Sequence, residues 1–102
     1  MHAPASPALE LAAPTDTGVL GVYWLKRFWS RAMLARQGRP VHANMRERHL
    51  DHLVLHACGA GLEQTASYLG RHAPGFEEFE RWIMATTGGV EPARIARINA
   101  AI

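Results

Sequence analysis

Three histidines have spacing that could support metal chemistry in this 102-residue sequence. His49, His52 and His56 recur at intervals of three and four residues, so a helix would stack them along one stripe. Two imidazoles at such spacing can share a metal ion, but the full set spans about 10 Å of helix rise, too far for one ion. Neither H-E-x-x-H nor C-x-x-C occurs. We therefore predict no bound metal and no cofactor, and keep a metal- or pH-responsive protein as a third hypothesis.

The single cysteine, Cys58, is a candidate nucleophile. It follows His56 by two residues and precedes a glycine-rich turn at 59–61, and a thiolate near the N-terminus of a helix would be activated. No G-x-S-x-G motif and no glycine-rich phosphate loop accompanies it. We interpret Cys58 as a small buried apolar residue and expect that the chain is not an enzyme.

The stretch over residues 61–83 has the rhythm of a helix-turn-helix motif. Its second helix would open with Glu77, Glu78 and Glu80, which repel phosphates. The only basic residue of that helix is Arg81. A nucleic-acid-binding regulator of helix-turn-helix type is therefore the alternative hypothesis, behind protein binding.

The first predicted helix collects aromatic and basic side chains. Its apolar residues cover most of the circumference, and a basic strip with Lys26, Arg27 and Arg31 occupies the rest. Either this helix is simply central and buried, or a partner protein or second copy covers part of it, which is the hypothesis that we favour. The basic strip would then meet an acidic surface, such as the 77–80 cluster of a second copy. The predicted partner-binding residues are Tyr23, Trp24, Lys26, Arg27, Phe28, Trp29 and Arg31.

Apolar periodicity predicts five helices and no strands. Asp16 or Thr17 would cap the first helix, Asn44 the second, and Pro92 would open the last. In the fourth helix Trp82 shares an apolar face with phenylalanine and isoleucine, so we predict that it lies in the core. The predicted helices cover residues 18–37, 45–57, 62–71 and 76–86, and a last one begins at residue 92.

Composition bounds the remaining possibilities. Residues 1–16 are rich in alanine and proline and predict a flexible arm, which leaves residues 17–102 as one helical domain. No apolar run is long enough to cross a membrane, and the start lacks the basic region of a signal peptide. With one thiol, we expect a cytoplasmic protein. The sequence thus predicts an all-α bundle around a central hydrophobic N-terminal helix, acting as a protein-interaction module or accessory subunit.

Overall fold

Five α-helices and no strands make up residues 9–102, the part of the chain that the computed structural model describes. The all-α prediction is confirmed. None of these helices has the length and the hydropathy that crossing a bilayer requires. The first half of the predicted arm, residues 1–8, lies outside the described residues. The helices are α1 (Leu25–Arg36), α2 (Met45–Cys58), α3 (Leu62–His72), α4 (Phe76–Thr87) and α5 (Pro92–Ala101).

Local signals set the ends of α2 and α5 as predicted. The Asn44 side chain caps α2 by accepting a hydrogen bond from the Glu47 backbone N–H at 2.9 Å. Gly59 ends the same helix in the left-handed region, with φ of 88°. Pro92 is the first residue of α5. A backbone N–H at this position would have no acceptor within the helix, so the proline costs no hydrogen bond there.

The core forms around α1, which contacts α2, α3 and α4. Leu25 of α1 is fully buried, and Phe79 and Ile83 of α4 are fully buried with it. The helix α5 closes the other side of α2 through Ile98. The prediction of a central N-terminal helix is therefore confirmed. The other members of this core include Val22, Trp24, Phe28, Met33, Val54, Leu55, Cys58 and Leu69.

The predicted start of the first helix at residue 18 is wrong, because α1 begins at Leu25. Residues 18–24 form turns whose backbone groups bond to distant side chains. The Glu80 carboxylate accepts from the backbone N–H groups of Val19 at 3.2 Å and Leu20 at 3.0 Å. Gly18 lies against this carboxylate, and a Cβ at that position would force the Glu80 side chain to shift.

The end of this turn segment is held in the same way. The Asn99 side chain accepts from the Tyr23 backbone N–H at 2.8 Å and donates to the Gly21 carbonyl at 2.9 Å. Trp24, which precedes α1, has φ of 73°, a conformation that a bulky residue adopts only under tertiary constraint. Its backbone N–H donates to the Pro14 carbonyl at 2.7 Å. Tertiary hydrogen bonds thus replace the helical ones predicted here.

The second half of the predicted arm, residues 9–16, lies against α1. The Ala12 backbone N–H donates to Ser30 Oγ at 3.0 Å, and Arg27 Nη1 donates to the Ala12 carbonyl at 3.0 Å. Ala12 itself is buried. These residues therefore pack with the helical domain in the structure.

Trp82 lies at the edge of the core, which corrects its predicted place inside it. The side chain is only partly buried. It stacks on Tyr68 of α3, with ring centroids 4.3 Å apart and planes 7° from parallel. The fully buried positions of α4 are instead Phe79, Glu80 and Ile83, because the buried face is rotated away from Trp82.

Candidate functional site

The predicted partner-binding residues of α1 serve largely as internal contacts. Trp24 is 4% exposed, and Phe28 and Arg31 are each 8% exposed. The partly exposed members of the set are Tyr23, Lys26, Arg27 and Trp29. Partner binding through these residues stays a prediction, but a partner can reach only this partly exposed subset.

The basic strip of α1 is paired with carboxylates of α2. Arg31 forms a short ion pair with Asp51 and lies 3.7 Å from Glu47, measured from Nη1 to Oε2. Arg27 Nη2 lies 3.3 Å from the same Glu47 oxygen. Asp51 also accepts a hydrogen bond from the Trp24 indole N–H at 2.7 Å. Two arginines of the strip therefore meet two carboxylates inside one chain, and Lys26 is its one cation without an ion pair within residues 9–102.

Sequence reasoning missed Glu47 and Asp51, although a signal for them exists. They are four residues apart on α2, and Arg27 and Arg31 are four residues apart on α1. Residues at that spacing lie on one face of a helix. Two such pairs of opposite charge match when the helices pack side by side.

The acidic cluster at 77–80 does not form one surface. Glu80 is 1% exposed and binds the backbone of the 18–20 turn, whereas Glu77 and Glu78 are exposed. Only two of the three carboxylates in the cluster are therefore exposed for the contact with a second copy that the sequence predicted.

Cys58 is buried at the end of α2, as interpreted from the sequence. Burial raises its pKa from 9.0 to about 11, against a smaller opposing effect of the nearby Arg94 charge. The side chain is therefore a neutral thiol at physiological pH. A thiol in this state is a poor nucleophile.

The α3–α4 pair does not have the charge pattern of a DNA-reading motif. The helices are joined by residues 73–75, and the Trp29 indole N–H holds this turn by donating to the Pro74 carbonyl at 2.9 Å. The first turn of α4 presents Glu77 and Glu78 to solvent. Carboxylates at this position oppose the approach of phosphates.

The histidine stripe lies on the outer surface of α2. His49, His52 and His56 are all exposed. Within residues 9–102, no group of three histidine, cysteine, aspartate or glutamate side chains is arranged to hold a metal ion. The absence of a tightly bound metal stays a prediction, and the stripe has to be considered as part of a surface.

That surface, here called the basic face, consists of two adjoining depressions on α2 and α5. The first has a volume of about 650 Å³ and the second of about 420 Å³. They share Leu53 and His56. Among residues 9–102, no acidic residue lines either depression. The basic face comprises Met45, Arg48, His49, His52, Leu53, His56, Ala57, Arg94, Arg97 and Ile98.

Charge on the basic face is not neutralised by ion pairs. Within residues 9–102, all the ion pairs join α1 to α2 through Glu47 and Asp51. Arg48, Arg94 and Arg97 are exposed and belong to none of them. The basic face therefore combines three unpaired guanidinium groups with three imidazoles.

An apolar residue lies beside these charges. Met45, at the start of α2, is 87% exposed, one of the two most exposed large apolar side chains in the described part of the chain. Leu53 is partly buried between the two depressions. Methionine and arginine are both enriched where proteins bind one another.

Comparison with protein-family models, with curated proteins and with solved structures found no match.

Proposed function

We propose that this chain is a small helical protein-interaction module or accessory subunit that binds a protein partner through the basic face. One observation supports this above all: three arginines that no ion pair within residues 9–102 neutralises, Arg48, Arg94 and Arg97, lie together on α2 and α5 beside the exposed Met45. Unpaired charge beside exposed apolar surface suits a partner that supplies carboxylates and apolar side chains.

This proposal moves the binding surface from α1 to the α2–α5 side. The residues predicted from the sequence had the right chemical character, aromatic and basic. However, Trp24 and Arg31 are buried and hydrogen bonded within the chain. The side chains on α2 and α5 meet the same requirement of positive charge beside apolar surface, and they are accessible.

A protein partner accounts for the basic face better than a nucleic acid does. Binding a phosphate backbone needs positive charge but no apolar contact. Met45 and Leu53 lie among the basic side chains. A protein surface with acidic and apolar side chains satisfies both kinds of group.

A pair of charge reversals tests the proposal. In Arg48→Glu/Arg97→Glu both changes lie on the basic face, and neither side chain makes a hydrogen bond within the described residues. The matched control, Arg71→Glu/Arg81→Glu, makes the same change of charge at exposed positions of α3 and α4. Circular dichroism verifies that both variants keep the helical fold.

The immobilised chain and both variants are then compared for proteins retained from a cell lysate, quantified by mass spectrometry and repeated with each purified partner. We expect a partner that the wild type and the control retain and the basic-face variant loses. Retention of every partner by the basic-face variant contradicts the proposal. A duplex DNA that binds in a salt-dependent manner, without any protein partner, would favour the nucleic-acid alternative.

A further inference from the structure

We propose that the basic face binds an acidic amphipathic helix of a partner protein, packed along α2 with its carboxylates toward the arginines of α2 and α5. This inference rests on the proposed function and specifies the chemistry and shape of the partner.

The spacing of the exposed residues on α2 indicates a helix. Met45, Arg48, His49, His52, Leu53 and His56 follow one another at i, i+3, i+4, i+7, i+8 and i+11. That series places the six side chains on one face of the helix, with Met45 and Leu53 as its apolar members. The opposite stripe of α2 already packs on α1 through Asp51 and Val54. Helices α3 and α5 also contact α2, and the stripe from Met45 to His56 is exposed except at Leu53, which is partly buried.

The length of the stripe sets the length of the partner. From Met45 to His56 the helix rises about 17 Å, which corresponds to about three turns of a partner helix, or 11–14 residues. A contact of this size lies at the lower end of specific interfaces. We therefore expect binding in the range of about 10–100 μM, which corresponds to a reversible contact.

Charge decides the composition of the partner helix. The charged and titratable groups lining the face are Arg48 and three histidines from α2, with Arg94 and Arg97 from α5. A second helix with basic residues would be repelled, and one without charge would leave the guanidinium groups partly desolvated and unpaired. Glutamate or aspartate on the flanks of the partner, with leucine or methionine toward Met45 and Leu53, satisfies every group.

The test uses the full chain and a labelled synthetic peptide of 14 residues, with glutamates on one helical face and leucines on the other. Fluorescence anisotropy measures its dissociation constant at low salt. Two control peptides are a scrambled sequence without an amphipathic face and a version with lysine in place of glutamate. A duplex DNA of matched charge is the fourth probe.

We expect the acidic amphipathic peptide to bind at least tenfold more tightly than either control peptide and more tightly than the DNA. Arg48→Glu/Arg97→Glu should weaken binding at least tenfold, and Met45→Ser at least threefold. Arg71→Glu/Arg81→Glu should change it less than twofold.

Three results overturn the inference. If the scrambled peptide binds as tightly as the amphipathic one, charge alone accounts for binding and no helix is recognised. Tighter binding of the DNA assigns the face to nucleic acid. No binding of the acidic peptide at 1 mM excludes this partner chemistry. The lysate experiment separates this inference from the proposed function. If the peptide assay fails but a cellular partner binds the wild type and not Arg48→Glu/Arg97→Glu, the helix inference is wrong and the proposed function stands.

Discussion

Removal of the Asp51 carboxylate should be among the most damaging single changes to this fold. Asp51 is 7% exposed and pairs with Arg31, which is 8% exposed. In Asp51→Ala the guanidinium remains buried with only the Glu47 carboxylate nearby, at 3.7 Å, and the Trp24 indole loses its acceptor. Breaking one side of a buried ion pair typically destabilises by about 3–5 kcal/mol. We expect a loss of that size in the free energy of unfolding.

A double variant separates the unpaired charge from the lost contact. Arg31→Met/Asp51→Leu removes both charges and fills the space with apolar atoms, and Arg27 and Glu47 stay paired. Replacing a buried pair in this way is often close to neutral. The orphaned indole N–H still costs about 1 kcal/mol. The double variant should therefore lie within about 2 kcal/mol of the wild type and be more stable than Asp51→Ala.

Urea unfolding at low temperature, followed by far-UV circular dichroism, measures the cycle of wild type, Arg31→Met, Asp51→Leu and the double variant, together with Asp51→Ala. Low temperature matters because a domain of this size has only about 5–15 kcal/mol of stability to lose. A loss below about 1 kcal/mol in Asp51→Ala would refute the buried-pair reasoning. Losses that simply add in the double variant would refute the coupling between Arg31 and Asp51.

Three further predictions concern the turn before α1, the edge of the core and the buried cysteine. Gly18→Ala should lower the free energy of unfolding by about 1–3 kcal/mol, because its Cβ would press on the Glu80 carboxylate and displace a buried acceptor. The control Gly70→Ala adds a methyl group to open space in α3 and should stabilise by about 0.5–1 kcal/mol; equal effects of the two would contradict the proposed clash. Trp82→Ala should lower the free energy of unfolding, measured with urea, by about 2 kcal/mol, less than the about 3–5 kcal/mol typical of a fully buried aromatic residue. A larger loss would indicate that Trp82 lies in the core. Cys58 should react with a thiol reagent at pH 8 about 100-fold more slowly in the folded chain than in urea, since burial raises its pKa from 9.0 to about 11; equal rates would show an accessible thiolate.

The helices after residue 44 could be predicted from the sequence because their boundaries depend on neighbouring residues. Asn44 caps α2 by a hydrogen bond to the backbone N–H of Glu47, three residues along the chain. Gly59 ends the helix because it adopts a left-handed backbone conformation. Pro92 begins α5 because its ring fixes a helical φ and removes an N–H that would have no acceptor in the first turn. These effects act over one turn of helix, so the amino-acid order is sufficient to reveal them. The apolar period between the boundaries completes the assignment of four helices and of the all-α class.

The first helix and the binding surface depended on contacts between distant parts of the chain. The apolar residues over 18–24 are equally consistent with a helix and with a buried turn. The turn forms because Glu80 and Asn99, some 60 to 78 residues away, make hydrogen bonds to its backbone. Likewise, all eleven cationic residues have the same formal charge in the sequence. Packing of α1 on α2 neutralises Arg27 and Arg31 and leaves the guanidinium groups of α2 and α5 unpaired. Charge on a protein surface is a sum over neighbours in space, and those neighbours exist only once the helices have packed.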